Sequence, residues 1–171
     1  MTLTARPTTY RGIDMRSRTE ARFAAFLDRV GIEWAYEPRA YADASGQYLP
    51  DFRLLASSWP STVFVDVKGT LTTVEYHHLR ARMRIIWTSD PRALLVIAPA
   101  DWSRQRLLVD NPSVPERGAQ EGFFGSCPQG HAGIGLVQGA SGIPHLYGVC
   151  GYFGEPATFL RPFGEPGVRR G

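Results

Sequence analysis

Val63-Phe64-Val65-Asp66-Val67-Lys68-Gly69 is the stretch on which the fold turns. It is short, β-branched and closed by a glycine, the signature of a strand. Side chains alternate along a strand, so Asp66 and Lys68 share one face while Val65 and Val67 point into apolar packing on the other. Two charged residues in an otherwise apolar, central strand would cost several kcal/mol each if buried without partners. Either they form an ordinary ion pair on an exposed strand, or they belong to a site at the sheet edge.

Working upstream, Gln47 to Leu55 reads as a second strand carrying Pro50-Asp51, and Glu33 to Tyr41 as a first, with Asp43-Ala44-Ser45-Gly46 as the turn between them. Ser57 to Ser61, with Pro60, breaks the chain before the Val63 strand. Further back, Phe23, Phe26, Leu27 and Val30 recur at helical spacing. Ser17 followed by Glu20 fits a capping box, and Gly31 stands where a helix C-cap glycine belongs, which predicts a helix from about Arg16 to Val30. Residues 1 to 15 read as a loose arm. Downstream, Leu79, Met83 and Ile86 give an apolar stripe to a second helix over Thr73 to Trp87, ended by Asp90-Pro91. Ala93 to Ala98 reads as a buried strand closed by Pro99. The order is α-β-β-β-α-β, a mixed α/β sheet domain over residues 1–100.

Beyond Pro99 the texture changes. Residues 101–171 are rich in Gly and Pro and poor in periodicity, which predicts a small loop-rich C-terminal module organised by something other than a large core, with a mobile basic tail over Gly167 to Gly171. The whole chain has 171 residues, 43% hydrophobic and 20% charged, enough for one compact domain plus a small appendage. The longest apolar run, Ala93 to Ala100, is too short to span a bilayer, so no membrane partner is expected. The N-terminal residues lack the pattern of a signal peptide, and two cysteines exclude a disulfide-rich secreted scaffold, so a cytoplasmic protein is expected. A net charge of +3 permits a nucleic-acid partner without requiring one.

Pro50-Asp51, fourteen residues, then Asp66-Val67-Lys68 coincides with a hairpin-like strand pair. If the two strands are neighbours, Asp51 and Asp66 converge, and two carboxylates held close repel unless a cation sits between them. Hard oxygen ligands of this kind suit Mg²⁺ or Mn²⁺. Glu20, three residues before Phe23, lies on the inward face of the first helix and can reach the same place. This context favours a site over an exposed ion pair.

These residues, with Tyr10-Arg11-Gly12 through Arg16-Ser17-Arg18-Thr19-Glu20 and Tyr48-Leu49-Pro50-Asp51-Phe52, resemble the PD-(D/E)XK nucleases, which include restriction endonucleases, Holliday-junction resolvases and transposon or repair nucleases. The resemblance covers residues 11 to 100 and is closest to small phage and bacterial members. It implies a restriction-endonuclease-like fold and hydrolysis of DNA phosphodiesters by a metal-dependent endonuclease, in recombination, repair, transposition or defence. It further implies that Asp51, Asp66 and the Val67 backbone carbonyl ligate the metal, and that Glu20 does so directly or through water. Lys68 would orient the attacking water and stabilise charge on the phosphate. A homodimer is implied by the resemblance alone. From a different class, a non-catalytic nucleic-acid-binding or structural protein would keep the fold without cutting. The chain would also fit a subunit of a larger phage or bacterial DNA-processing complex.

Arg16, Arg18 and Arg22 flank Glu20, and Arg80, Arg82 and Arg84 line the second helix. For each, a phosphate contact and a solvated helix face are both open readings. His77, His78 and Tyr76 read as surface or packing residues. In the C-terminal part, Cys127-Pro-Gln-Gly-His131 and His145 with Cys150-Gly151 resemble a zinc ribbon with altered ligands. Cys127, His131, His145 and Cys150 would close a tetrahedral structural Zn²⁺ site. Gly130 stands where a ribbon has its second cysteine, so a ribbon that has lost its metal, or two buried thiols and two unrelated histidines, are the alternatives.

Overall fold

A computed structural model describes residues 6–55, 62–69, 71–100 and 107–110, together with strand residues 120–126, 132–137, 146–148 and 161–162. Within the expected loose arm, residues 8–15 form a hairpin of β1 (Thr8–Tyr10) and β2 (Ile13–Met15). Gly12 lies at φ 77° in its turn, where a glycine is unstrained.

Helix α1 (Arg18–Val30) starts where Ser17 caps it: the Ser17 hydroxyl accepts the Glu20 N–H at 3.1 Å. It ends at Gly31, φ 73°, with the Ile32 N–H bonded to the Leu27 carbonyl at 2.9 Å, a Schellman closure. The expected helix began two residues early because Arg16 and Ser17 serve as approach and cap.

Each of the two strands expected next is broken in two. The first gives β3 (Trp34–Tyr36) and, at its last residue, the start of β4 (Tyr41–Asp43); the second gives β5 (Gly46–Tyr48) and β6 (Phe52–Leu54), so that Asp43 and Gly46 of the expected turn lie in strands. Pro38 and Pro50 cannot donate to a ladder, and Glu37 at φ 41° turns the backbone out of extended geometry. Asp51 therefore lies in a bend ahead of β6, not inside a strand as expected. The β4–β5 hairpin forms its own two-stranded sheet and packs on the second helix.

The central strand β7 (Val63–Lys68) pairs antiparallel with β6 and parallel with β8 (Leu94–Pro99). The parallel pairing requires a crossover, supplied by α2 (Thr73–Ser89). A reciprocal capping box starts α2: the Glu75 carboxylate accepts the Thr72 N–H at 2.8 Å, and the Thr72 hydroxyl accepts the Glu75 N–H at 3.2 Å.

The period of two along β7 sorts its side chains to two cores. Val63, Val65 and Val67 pack with Phe23, Leu27 and Phe52 on the α1 face. Phe64 packs with Leu79, Met83 and Ile86 on the α2 face. Asp66 follows Phe64 on that second face.

The strands beyond residue 100 continue the sheet. β9 (Leu107–Asp110), β10 (Gln120–Ser126), β11 (Ala132–Val137), β12 (Leu146–Gly148) and β13 (Arg161–Pro162) follow. Among the described residues the sheet has nine strands, in the order β12-β11-β10-β9-β8-β7-β6-β3, with β13 also on β10. A boundary drawn at residue 100 thus falls between two adjacent strands of one sheet. The described residues form a mixed α/β protein with a mixed sheet and two helices. Among the described residues no helix is long and apolar enough to cross a membrane.

Candidate active site

The register of β6 against β7 decides the site. Phe52 faces Val65, so the chain just before Phe52 lies beside the chain just after Val65. The Asp51 carboxylate reaches across: its Oδ2 accepts the Val67 N–H at 2.8 Å. Lys68 Nζ stands 3.2 Å from Asp66 Oδ1 and 3.9 Å from Asp51 Oδ2. Asp51, Asp66 and Lys68, the three residues singled out by spacing, are therefore together. Asp51 and Asp66 are almost fully buried, at 3% and 2% exposure, while the Lys68 side chain stays partly open to solvent.

Burial drives the Asp51 carboxyl up to about 7, and the neighbouring Asp66 charge adds to the rise. Lys68 and the Val67 N–H pull the other way, and the Glu20 charge raises it further.

Glu20 is buried at the third position of α1. Its Oε2 accepts the Tyr36 hydroxyl at 2.7 Å and the Arg16 N–H at 3.1 Å, and its Oε1 accepts the Ser17 hydroxyl at 2.9 Å. Burial, with the Glu20 bond, pushes the Tyr36 hydroxyl up to about 12, against the lowering effect of the Arg16 N–H. Glu20 thus adjoins Asp51 through Arg16, which donates its N–H to Glu20 and its guanidinium to Asp51.

The arginines separate. Arg16 Nη2 is 2.5 Å from Asp51 Oδ1 and its Nε is 2.7 Å from Glu37 Oε1, so this side chain is part of the carboxylate cluster. Arg80 bonds Asp110 at 2.7 Å, and Tyr76 donates to the same oxygen at 3.1 Å. Arg18, Arg22, Arg82 and Arg84 are exposed, and Arg82 lies close enough to Tyr48 to oppose the rise of its hydroxyl. His77 and His78 are exposed on α2. Cys127, His131, His145 and Cys150, the candidate zinc ligands, lie outside the described residues.

Two tyrosines have a place at the site in which the sequence gives them no role. Tyr36 orients Glu20, and Tyr48, at the end of β5, donates a hydrogen bond to Asp66 Oδ2. The available signal was that a buried tyrosine needs a partner for its hydroxyl. A cavity of about 590 Å³ borders the site through Tyr36, which lines it with Ile13, Trp34 and Leu55.

Among the described residues no three Asp, Glu, His or Cys side chains are gathered as a metal-holding group. The donor set nonetheless suits a hard divalent cation. Asp51 and Asp66 offer carboxylate oxygens in a buried setting, and their mutual repulsion is relieved by Lys68 and Arg16, whose places a cation could share. Compared with protein-family models, with curated proteins and with solved structures, the chain matches none.

Proposed function

We propose that the chain is a divalent-metal-dependent DNA endonuclease with a restriction-endonuclease-like core. The observation that carries this reading is the meeting of Asp51, Asp66 and Lys68 at the junction of β6 and β7. Two buried carboxylates beside a partly exposed lysine suit phosphodiester hydrolysis. Asp51, Asp66 and the Val67 carbonyl would hold Mg²⁺ or Mn²⁺, with Glu20 at the margin. The cation would acidify a water and neutralise phosphate charge.

The protein's own groups do the rest. The Val67 N–H fixes Asp51, and Tyr48 fixes Asp66. Lys68, held by both carboxylates, presents its ammonium to solvent where a phosphate would approach and stabilises the charge that develops there. The exposed Arg82 and Arg84 offer phosphate contacts that offset the repulsion between DNA and an acidic site.

A second reading has one observation in its favour. Glu20 already has three donors and Arg16 already occupies Asp51, an arrangement complete in itself. That suits a non-catalytic nucleic-acid-binding subunit.

Cleavage of linear duplex, single-stranded and four-way-junction DNA with Mg²⁺, Mn²⁺ or EDTA separates the two. The nuclease reading predicts metal-dependent cutting that Asp66→Ala abolishes. DNA binding by the folded protein, unaffected by EDTA and without cutting in any metal, would select the second.

A further inference from the structure

We infer that the β4–β5 hairpin is a positioning element for the carboxylate site, and that Tyr48 fixes Asp66 so that only its Oδ1, beside Lys68, is left to receive a cation. The inference rests on the cation site of the preceding subsection and adds to it a role for Tyr48 and for the hairpin that carries it.

Four observations support it. First, Tyr48 and Asp66 are both buried, at 3% and 2% exposure, so neither group has water as an alternative partner. Second, the Tyr48 hydroxyl donates to Asp66 Oδ2 while Lys68 Nζ donates to Oδ1 at 3.2 Å, so the two oxygens have distinct partners. A carboxylate held at one oxygen cannot rotate freely, and its other oxygen is offered in one direction. Third, a tyrosine hydroxyl carries its own proton, so toward a carboxylate oxygen it is the donor.

Fourth, the hairpin is outside the large sheet, yet it is fixed. β5 and β4 both pack against α2, and the Tyr41 ring meets Phe64 of β7 edge-on at 5.6 Å. Phe64 and Asp66 are neighbours on the same face of β7. The hairpin thus grips that face at Phe64 with one tyrosine and at Asp66 with the other. Partners that orient a metal-ligating carboxylate through its second oxygen commonly change cation affinity by 10–100-fold when removed.

The test is Mn²⁺ binding to the full chain, by titration calorimetry and by the electron paramagnetic resonance of free Mn²⁺. Wild type, Tyr48→Phe and Tyr41→Leu are compared, with thermal melting of each. Tyr48→Phe keeps the ring and deletes the hydroxyl; Tyr41→Leu weakens hairpin packing and leaves Asp66 untouched. The expected result is binding at least 10-fold weaker in Tyr48→Phe and a clearly smaller loss in Tyr41→Leu.

Unchanged binding in Tyr48→Phe overturns the inference, as does an equal loss in both variants, which would mark a structural role only. Absence of Mn²⁺ binding in the folded wild type overturns the cation site as well, so the two failures are distinguishable. The wild type gives a second reading should Tyr48→Phe not fold. Its buried Tyr48 hydroxyl proton is expected as a slowly exchanging downfield resonance that shifts when Mg²⁺ is added. A resonance unmoved by saturating Mg²⁺ overturns the inference.

Discussion

Asp51 is the residue on which the site balances. Its carboxyl is held near 7, above the ordinary 3.8, because burial and the Asp66 charge both disfavour its ionised form. The sign of the consequence follows directly. Below about pH 4 the group is protonated in folded and unfolded chains alike and costs nothing. As pH rises, the unfolded chain ionises first, and the folded state loses stability until Asp51 itself ionises near 7. In EDTA, the melting temperature of wild type relative to Asp51→Asn should therefore fall between pH 4 and pH 7. A difference that stays flat across this range, measured by calorimetry, would contradict the assigned environment. The same two buried carboxylates were legible in the sequence because their spacing matched a strand pair. Tyr48 and Tyr36 were not legible, because each acts across eighteen or sixteen positions through a side-chain bond that no local pattern encodes.

At the scale of elements, α1 and β7 carry the most information in the fewest residues. The Ser17 cap and the Gly31 terminus stand where the sequence puts them, since both depend on local chemistry. A Cβ at Gly31 would meet no heavy atom within 4 Å, so the cost of Gly31→Ala is purely conformational. At φ 73° that cost is expected to be about 1–2 kcal/mol, read as a loss of stability in urea without change in the slope of unfolding. A neutral or stabilising effect would contradict the left-handed cap. The broken strands were less legible. Pro38 and Pro50 both signal an interruption, yet each stretch is apolar or aromatic enough on either side to read as continuous. The break at Leu49–Asp51 is also what frees Asp51 to reach the Val67 N–H, so the feature hidden from the sequence is the one the site uses.

At the scale of the whole molecule, the sheet runs on through the Gly-rich C-terminal strands. Their pairing was not legible, because glycines in β10 and β11 contribute backbone hydrogen bonds and little side-chain pattern. One long sheet carries α1 against one face and α2 against the other, and β7 sends alternate side chains to both, with Asp66 following Phe64 on the α2 face. The arginines left exposed on α2 set the electrostatic behaviour proposed for DNA. Replacing Arg82 and Arg84 by alanine should weaken duplex binding and flatten its dependence on log salt by about 0.9 for each phosphate no longer neutralised. An unchanged slope would assign both side chains to a solvated face.

Asp51, Asp66 and Lys68 are proposed to hydrolyse a phosphodiester together with a divalent cation. The most direct measurement is the nicking and linearisation of supercoiled plasmid by wild type and Lys68→Ala, each shown to be folded and compared at equal Mn²⁺ occupancy. Wild type should cut only with metal present, and the variant at least about 100-fold more slowly, the scale of losing a cation aimed at developing charge. Equal rates in the two proteins, or no cutting by Mn²⁺-loaded wild type, would contradict it.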